Sequence, residues 1–192
     1  MASIASTDRL RRHNSLIVMQ SLRHGEALSH TDIAEKTGLA SATVSAITSE
    51  LLNAGYLTKL EQAPAQGRGR PRVLFEPCGE RGYVSNVILS SDAASFSLLD
   101  FRGKLLDRFS EPRRGESNSQ ALLSLIEQGV LRQVARSKIG LEQLLHISIS
   151  SKGLIDQRKG RLLWSPIIAD TPVDIAEDLS ARFALPVAVY NE

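Results

Sequence analysis

The chain has 192 residues, 42% hydrophobic and 23% charged. That is enough for one medium domain, or for a small one beside part of a second, in an ordinary soluble composition. A single cysteine, Cys78, excludes an internal disulfide and a cysteine-clustered zinc site, and fits a reducing cytoplasm. No apolar run is long enough to be a signal peptide or a membrane span. The net charge of +2 is uneven, with 9 Lys+Arg against 6 Asp+Glu in residues 1–75 and 14 against 15 in residues 76–192. The basic excess marks the N-terminal part as the one to meet a polyanion.

Residues 8–22, DRLRRHNSLIVMQSL, set Leu10, Asn14, Ile17, Val18 and Leu22 at helical spacing, with Gly25 as the stop. In the next stretch Ser29 and Asp32 form a capping box, Ile33 and Ala34 face inward, and Gly38 ends a second, short helix. A third helix follows at once in SATVSAITSELLNAG, with Val44, Ile47, Leu51 and Ala54 as its buried stripe. Its outward positions are Ser41, Ala42, Thr43, Ser45 and Ala46, with Ser49 and Glu50 one turn on. YLTKL and RVLF then read as two strands around the loop QGRGRPRV.

Three helices, a tight turn between the last two and a β-wing predict a winged helix-turn-helix, whose third helix enters the DNA major groove. A small helical bundle that binds protein fits less well, because the third helix has a polar outer face and the wing is basic. In the wing, Gly69 lets the backbone approach a groove floor, and Arg68, Arg70 and Arg72 suit a narrow A·T minor groove. The outward face of the third helix holds no arginine or lysine, so the bidentate contact to guanine is not expected from it. The wing is therefore expected to carry a large share of the affinity. RLRRH, residues 9–13, reads as a solvated helix face that could add phosphate contacts.

Residues 77–82 read as a linker between a DNA-binding domain at 1–76 and a second domain at 83–192. YVSNVILS, SFSLLDF and KLLDRFS read as a three-strand meander turning at Arg102-Gly103. Leu122, Leu123, Ile126, Val130 and Val134 mark a helix within residues 117–137, and LLHISIS is a buried strand. A hairpin around Lys159-Gly160 precedes a helix carrying Val173, Ile175, Ala176, Leu179 and Phe183, and PVAVY is the closing strand. The fold class expected is α+β: a winged helix-turn-helix followed by a partial actin-like, ribonuclease-H-like α/β lobe. His24 and His30 read as surface residues, His146 as a hydrogen-bonded strand residue, and Cys78 as an idle thiol. Asp92, Asp156 and Asp170 are scattered through loops, and no metal spacing or catalytic triad is present.

These stretches together resemble the ROK family of repressors and sugar kinases. The likeness rests on residues 13–57, the wing GRGRPRVLFEP, SLLDFRGKLL, ISISSKGLIDQRKGRLLWSP and DLSARFALPVAVYNE. It implies a transcriptional regulator, a repressor of sugar-metabolism genes, bound as a homodimer to double-stranded DNA, with a sugar or sugar phosphate as effector. Family kinases carry a D-x-G-G-T phosphate loop after the first strand, where this chain reads VILSSDAAS without glycine. No nucleotide cofactor and no enzymatic activity are therefore expected. In SKGLID the family pattern keeps only Gly153 and Asp156. The family's Asn-Asp pair, sugar ligand and catalytic base, matches at Asn191 and changes at Glu192, which are the sugar-binding residues implied here. At the third helix the family's capping serine is replaced by Ala40, so Ser41 is expected to cap one residue late. The resemblance covers about half of a family member, as in a truncated regulator with an exposed apolar lobe face. The two rivals are a sugar kinase of the same family and a DNA-binding module whose second domain only dimerises.

Overall fold

The computed structural model of the chain describes residues 2–23, 26–61, 73–113 and 118–192, without the side chains of residues 2–7. The chain divides into two compact units, residues 1–81 and 82–192.

The first unit runs α1 (Ala2–Ser21), α2 (His30–Thr37), α3 (Ser41–Asn53), β1 (Leu57–Glu61) and β2 (Val73–Pro77). Its core gathers Val18 of α1, Leu22 just past its end, Leu28, Ile33 of α2, Val44 and Ile47 of α3, Leu57 and Phe75. At about 1.5–3 kcal/mol for each large apolar side chain removed from water, this cluster is what holds the helices together. The capping box at α2 forms as expected: Ser29 Oγ accepts from the Asp32 backbone, and Asp32 Oδ2 accepts from Ser29 N at 2.9 Å. Gly38 closes α2 at φ 70°, a left-handed geometry that costs glycine nothing. Together they make the tight turn into α3.

Several expectations change here. Helix α1 begins at Ala2, well before Asp8, and Leu10 is 59% exposed, because nothing in this unit's core reaches that far along the helix. Ala54 is exposed and caps α3 through its backbone, while Thr48 takes a buried place on the inner stripe. Ala40 occupies the cap position of α3 with no side-chain bond, and Ser41 is already inside the helix. Nor do residues 77–81 behave as a free linker. Pro77 pairs with Leu57, Cys78 N donates to Tyr56 O at 2.9 Å, and the Arg81 guanidinium lies 4.6 Å over the Tyr56 ring.

In the second unit, β3 (Tyr83–Leu89), β4 (Ala93–Asp100) and β5 (Leu105–Pro112) form the expected meander. Helix α4 (Ser119–Ser137), β6 (Leu144–Ser151), the hairpin β7 (Leu154–Asp156) and β8 (Arg161–Trp164), α5 (Ile175–Phe183) and β9 (Val187–Asn191) follow. The five-stranded sheet is ordered β5-β4-β3-β6-β9, with β3, β6 and β9 parallel and the meander antiparallel. This is the mixed sheet of a ribonuclease-H-like lobe. Alternating burial along β3 and β4 turns Val87, Leu89, Ala94, Phe96 and Leu98 into one core with Leu122, Ile126 and Val130 of α4 and Leu179 of α5. Gln133 of α4 is fully buried and accepts from Ser85 Oγ at 2.7 Å, or donates to it with the amide turned the other way. Asp100 fixes the β4–β5 turn by accepting from the backbones of Arg102 and Lys104, both at 2.9 Å.

Two substitutions should shift stability in opposite directions. Gly129 on α4 lies under the Phe96 ring, and a Cβ built there overlaps it. Gly129→Ala should lower the urea midpoint, because overpacking costs about 1–3 kcal/mol against a helix-propensity gain of about 1 kcal/mol. Ala184 closes α5 at φ 54°, so Ala184→Gly should raise the midpoint by relieving about 1 kcal/mol of left-handed strain. A stabilised Gly129→Ala would mean that Phe96 does not pack as described.

Candidate nucleic-acid interface

The helix-turn-helix sets α3 with one side in the core and the other in solvent. Val44, Ile47 and Thr48 are buried, whereas Ser41, Ala42, Ser45, Ala46 and Ser49 are exposed and Thr43 is half-buried at the edge. Six of the ten expected DNA-contacting residues thus lie on one helix, five of them fully outward. Asn53, also exposed, extends the stripe one turn beyond Ser49 and was not legible as part of it. The surface is small and rich in hydroxyls, and Ser49 Oγ turns back to Ser45 O at 2.8 Å.

Glu50 borders this stripe and is taken by α1. Its carboxylate accepts from Arg11 Nε at 3.1 Å and is also bonded by Arg11 Nη2. Both side chains are exposed, so the pair adds at most about 1 kcal/mol to stability. Its effect is on charge: the acidic side chain next to the outward face of α3 is neutralised by a helix whose other arginines include Arg9 and Arg12.

The wing hairpin is set by the register Leu57↔Pro77 to Glu61↔Val73, and β2 is bridged on its other side by Leu28, which exchanges bonds with Phe75 at 2.8 and 3.0 Å. The remaining candidates, Arg68, Gly69, Arg70 and Arg72, lie outside the described residues. The loop that carries them joins the free ends of β1 and β2 at Glu61 and Val73.

His30 is not the surface residue expected. Its Nε2 lies 2.8 Å from Thr48 Oγ1, and its ring packs on Phe75 with centroids 4.5 Å apart. Burial, and secondarily the charge of Lys59, push its pKa below the ordinary histidine value. Burial does the same to His146 in the second unit. The sequence signal was there in part: His30 directly follows a helix cap, and Thr48 interrupts an apolar stripe.

In the second unit the implied sugar residues sit at the carboxyl end of the parallel strands, where open α/β sheets place ligands. Asn191 pairs with Ser151 across β9 and β6, and Glu192 N donates to Ser151 O at 3.2 Å. Both are exposed, beside buried Ser151. Gly153 is required there, since a Cβ would meet the Trp164 carbonyl. Asp156 instead serves its own hairpin, accepting from the backbones of Arg158 and Lys159. The turn at residues 90–93, which the resemblance aligns with the kinases' phosphate loop, is held by local bonds. Ser90 Oγ donates to Asp92 Oδ1 at 2.9 Å, Ser90 N to Ala93 O at 2.9 Å, and the buried Arg113 to Ser90 O at 2.7 Å. Asp170 lies elsewhere, accepting from Ser119 at the start of α4. Among the described residues, no group of His, Cys, Asp and Glu could hold a metal ion, and no helix is long and apolar enough to cross a membrane.

Residues 15–61 match the model of the IclR helix-turn-helix domain. A crystal structure of a ROK family transcriptional regulator, a homologue of the E. coli MLC protein, superposes on 95% of this chain and 46% of that one, with a TM-score of 0.71 at 21% identity. The chain carries the fold of about half of that ROK-family regulator. The xylose repressor of Caldicellulosiruptor bescii is 27% identical over 184 residues, covering 95% of this chain and 46% of that protein. The transcriptional dual regulator NagC of Escherichia coli K12 is 27% identical over 194 residues, covering all of this chain and 47% of that protein. The chain therefore spans about half the length of the curated relatives it matches. A ROK family glucokinase from Streptomyces griseus shares the fold over 57% of this chain, with a TM-score of 0.50 at 18% identity.

The two histidines give a pH prediction. Each has a folded pKa below its unfolded value of about 6.5, so the unfolded chain takes up protons first as pH falls. Their contribution is fully present above about pH 6.5 and is lost as pH drops below it, toward the lowered folded values. The melting temperature should fall between about pH 7 and pH 5, and a His30→Gln/His146→Gln variant should flatten that slope. A melting temperature that rises on acidification would contradict the burial of both rings.

Proposed function

We propose that this chain is a DNA-binding transcriptional regulator, a repressor of sugar-metabolism genes acting as a homodimer in the cytoplasm. One observation carries the reading: the outward face of α3, with Ser41, Ala42, Ser45, Ala46 and Ser49 clear of the core, on a helix-turn-helix whose relatives include named repressors. In this reading α3 enters the major groove. Its hydroxyls and Asn53 bond base edges and phosphates, and Ala42 and Ala46 offer methyl groups to thymine. Arg68, Arg70 and Arg72 enter an adjoining A·T minor groove with Gly69 at the floor, and supply much of the affinity.

The second unit is the sensor in this reading. Asn191 and Glu192 would meet a sugar or sugar phosphate at the strand ends. No catalytic role is assigned, because the turn at Ser90 lacks glycine and its Ser90 and Asp92 side chains bond each other.

The deciding experiment is a fluorescence-anisotropy titration of the whole chain against A·T-rich and G·C-rich duplexes at two salt concentrations. The expected result is tighter A·T-rich binding with a steep salt slope, and loss of about two units of that slope in Arg68→Ala/Arg70→Ala. Equal affinity in the double variant would remove the wing from the reading, and binding to neither duplex would remove the reading itself. The sensor role has a separate check. A sugar that binds the native state must raise the melting temperature, and Asn191→Ala should abolish that rise. A full panel of sugars without effect would leave the second unit as a dimerisation module.

A further inference from the structure

His30 touches three elements at once. It is the first residue of α2, its Nε2 lies 2.8 Å from Thr48 Oγ1 on α3, and its ring rests on Phe75 in β2 of the wing hairpin. The Thr48 side chain is fully buried, and its hydroxyl also reaches Val44 O at 2.9 Å and Ser45 O at 3.1 Å. A hydroxyl has one proton to donate. With that proton on a carbonyl of its own helix, the Thr48 oxygen is left to accept from His30 Nε2–H. Burial and the nearby Lys59 favour the neutral ring, and this bond places its one proton on Nε2.

We infer that His30 is a positioning residue of the DNA-reading surface, fixing the rotation of α3 relative to the wing hairpin. This rests on the DNA-binding reading above. Thr48 lies in the helix between Ser45 and Ser49, both on the outward stripe. Rotating α3 by about 20° moves side-chain tips, about 5 Å from the helix axis, by about 2 Å. Base-edge hydrogen bonds do not survive such a shift. Apolar contacts at Val44 and Ile47 are non-directional and tolerate small rotations. The directional His30–Thr48 bond does not, and the same ring is wedged on the strand from which the wing loop departs.

The test uses the whole chain and four variants: His30→Phe, which keeps a ring on Phe75; His30→Gln, which keeps a donor near the Nε2 position; Thr48→Val, which removes the hydroxyl at constant shape; and the His30→Phe/Thr48→Val double. Affinity for the A·T-rich duplex is measured well below each melting temperature, so that a merely less stable fold would not register. His30→Phe and Thr48→Val should each weaken binding about three- to tenfold, the worth of one hydrogen bond. The double should be no weaker than either single, the salt slope should be unchanged, and His30→Gln should bind within about twofold of the parent. Parental affinity in a folded His30→Phe or Thr48→Val, or losses that simply add in the double, overturns the inference. Should His30→Phe fail to fold, Thr48→Val and His30→Gln still decide it. If the parent binds no duplex, it is the DNA-binding reading that has failed. Hydrogen exchange then judges the lock by itself: the amides of Thr48 and Phe75 should lose protection together in Thr48→Val, and a loss confined to α3 overturns it.

Discussion

Phe75 sits in the middle of β2 with Lys59 of β1 on one side and Leu28 on the other, and both its backbone groups are bonded to Leu28. Its ring is 1% exposed and reaches the core formed by all three helices. A two-stranded hairpin alone is marginal in water. Here the extra bridge and the buried ring attach it to the helix-turn-helix, so the origin of the wing and the packing of α2 and α3 are settled by the same side chain. The position of His30 follows from it, as does that of Thr48.

The second unit is organised by a different constraint. Its meander and parallel strands share one buried face, and α4 and α5 cover that face side by side, tied by Arg182 to Glu127 at 2.6 Å. The polar side chains inside are few, and three of them are bonded close at hand. Gln133 bonds Ser85, Asp100 holds its own turn, and Arg113 donates to the carbonyls of Ser90 and Ile167. The turn at Ser90 is held the same way, by bonds within the turn and from Arg113. The backbone reverses direction there between β3 and β4, with Ser90 Oγ bonded to Asp92 and Ser90 N to Ala93 O.

Much of this was legible in the sequence because it is local or periodic. The Ser29–Asp32 box, the glycine stop at Gly38 and the 2-residue and 3.6-residue burial periods all depend on near neighbours, and they gave the elements and their order. The errors have one cause, tertiary context. Leu10 continues a helical stripe past the point where this unit's core ends. Thr48 breaks an apolar stripe because its partner, His30, is 18 residues away. Residues 77–81 have a linker's composition, yet Tyr56 holds them. The outward face of α3 could be read from its inner face, whereas the Arg11–Glu50 pair beside it, joining residues 39 apart, could not.

The sheet order leaves two outer strands, and they are not equally guarded. Strand β5 carries Asp107, Arg108 and Glu111 and ends at Pro112, features that discourage another chain from pairing alongside. Strand β9 reads Val-Ala-Val-Tyr-Asn, with neither charge nor proline, and among the described residues no strand pairs with its outer side. Left bare in concentrated solution, such a ribbon is a template on which further copies can stack edge to edge. A lysine at the exposed Tyr190 is the natural place to begin protecting this edge, one residue before the Asn191 of the proposed sugar site.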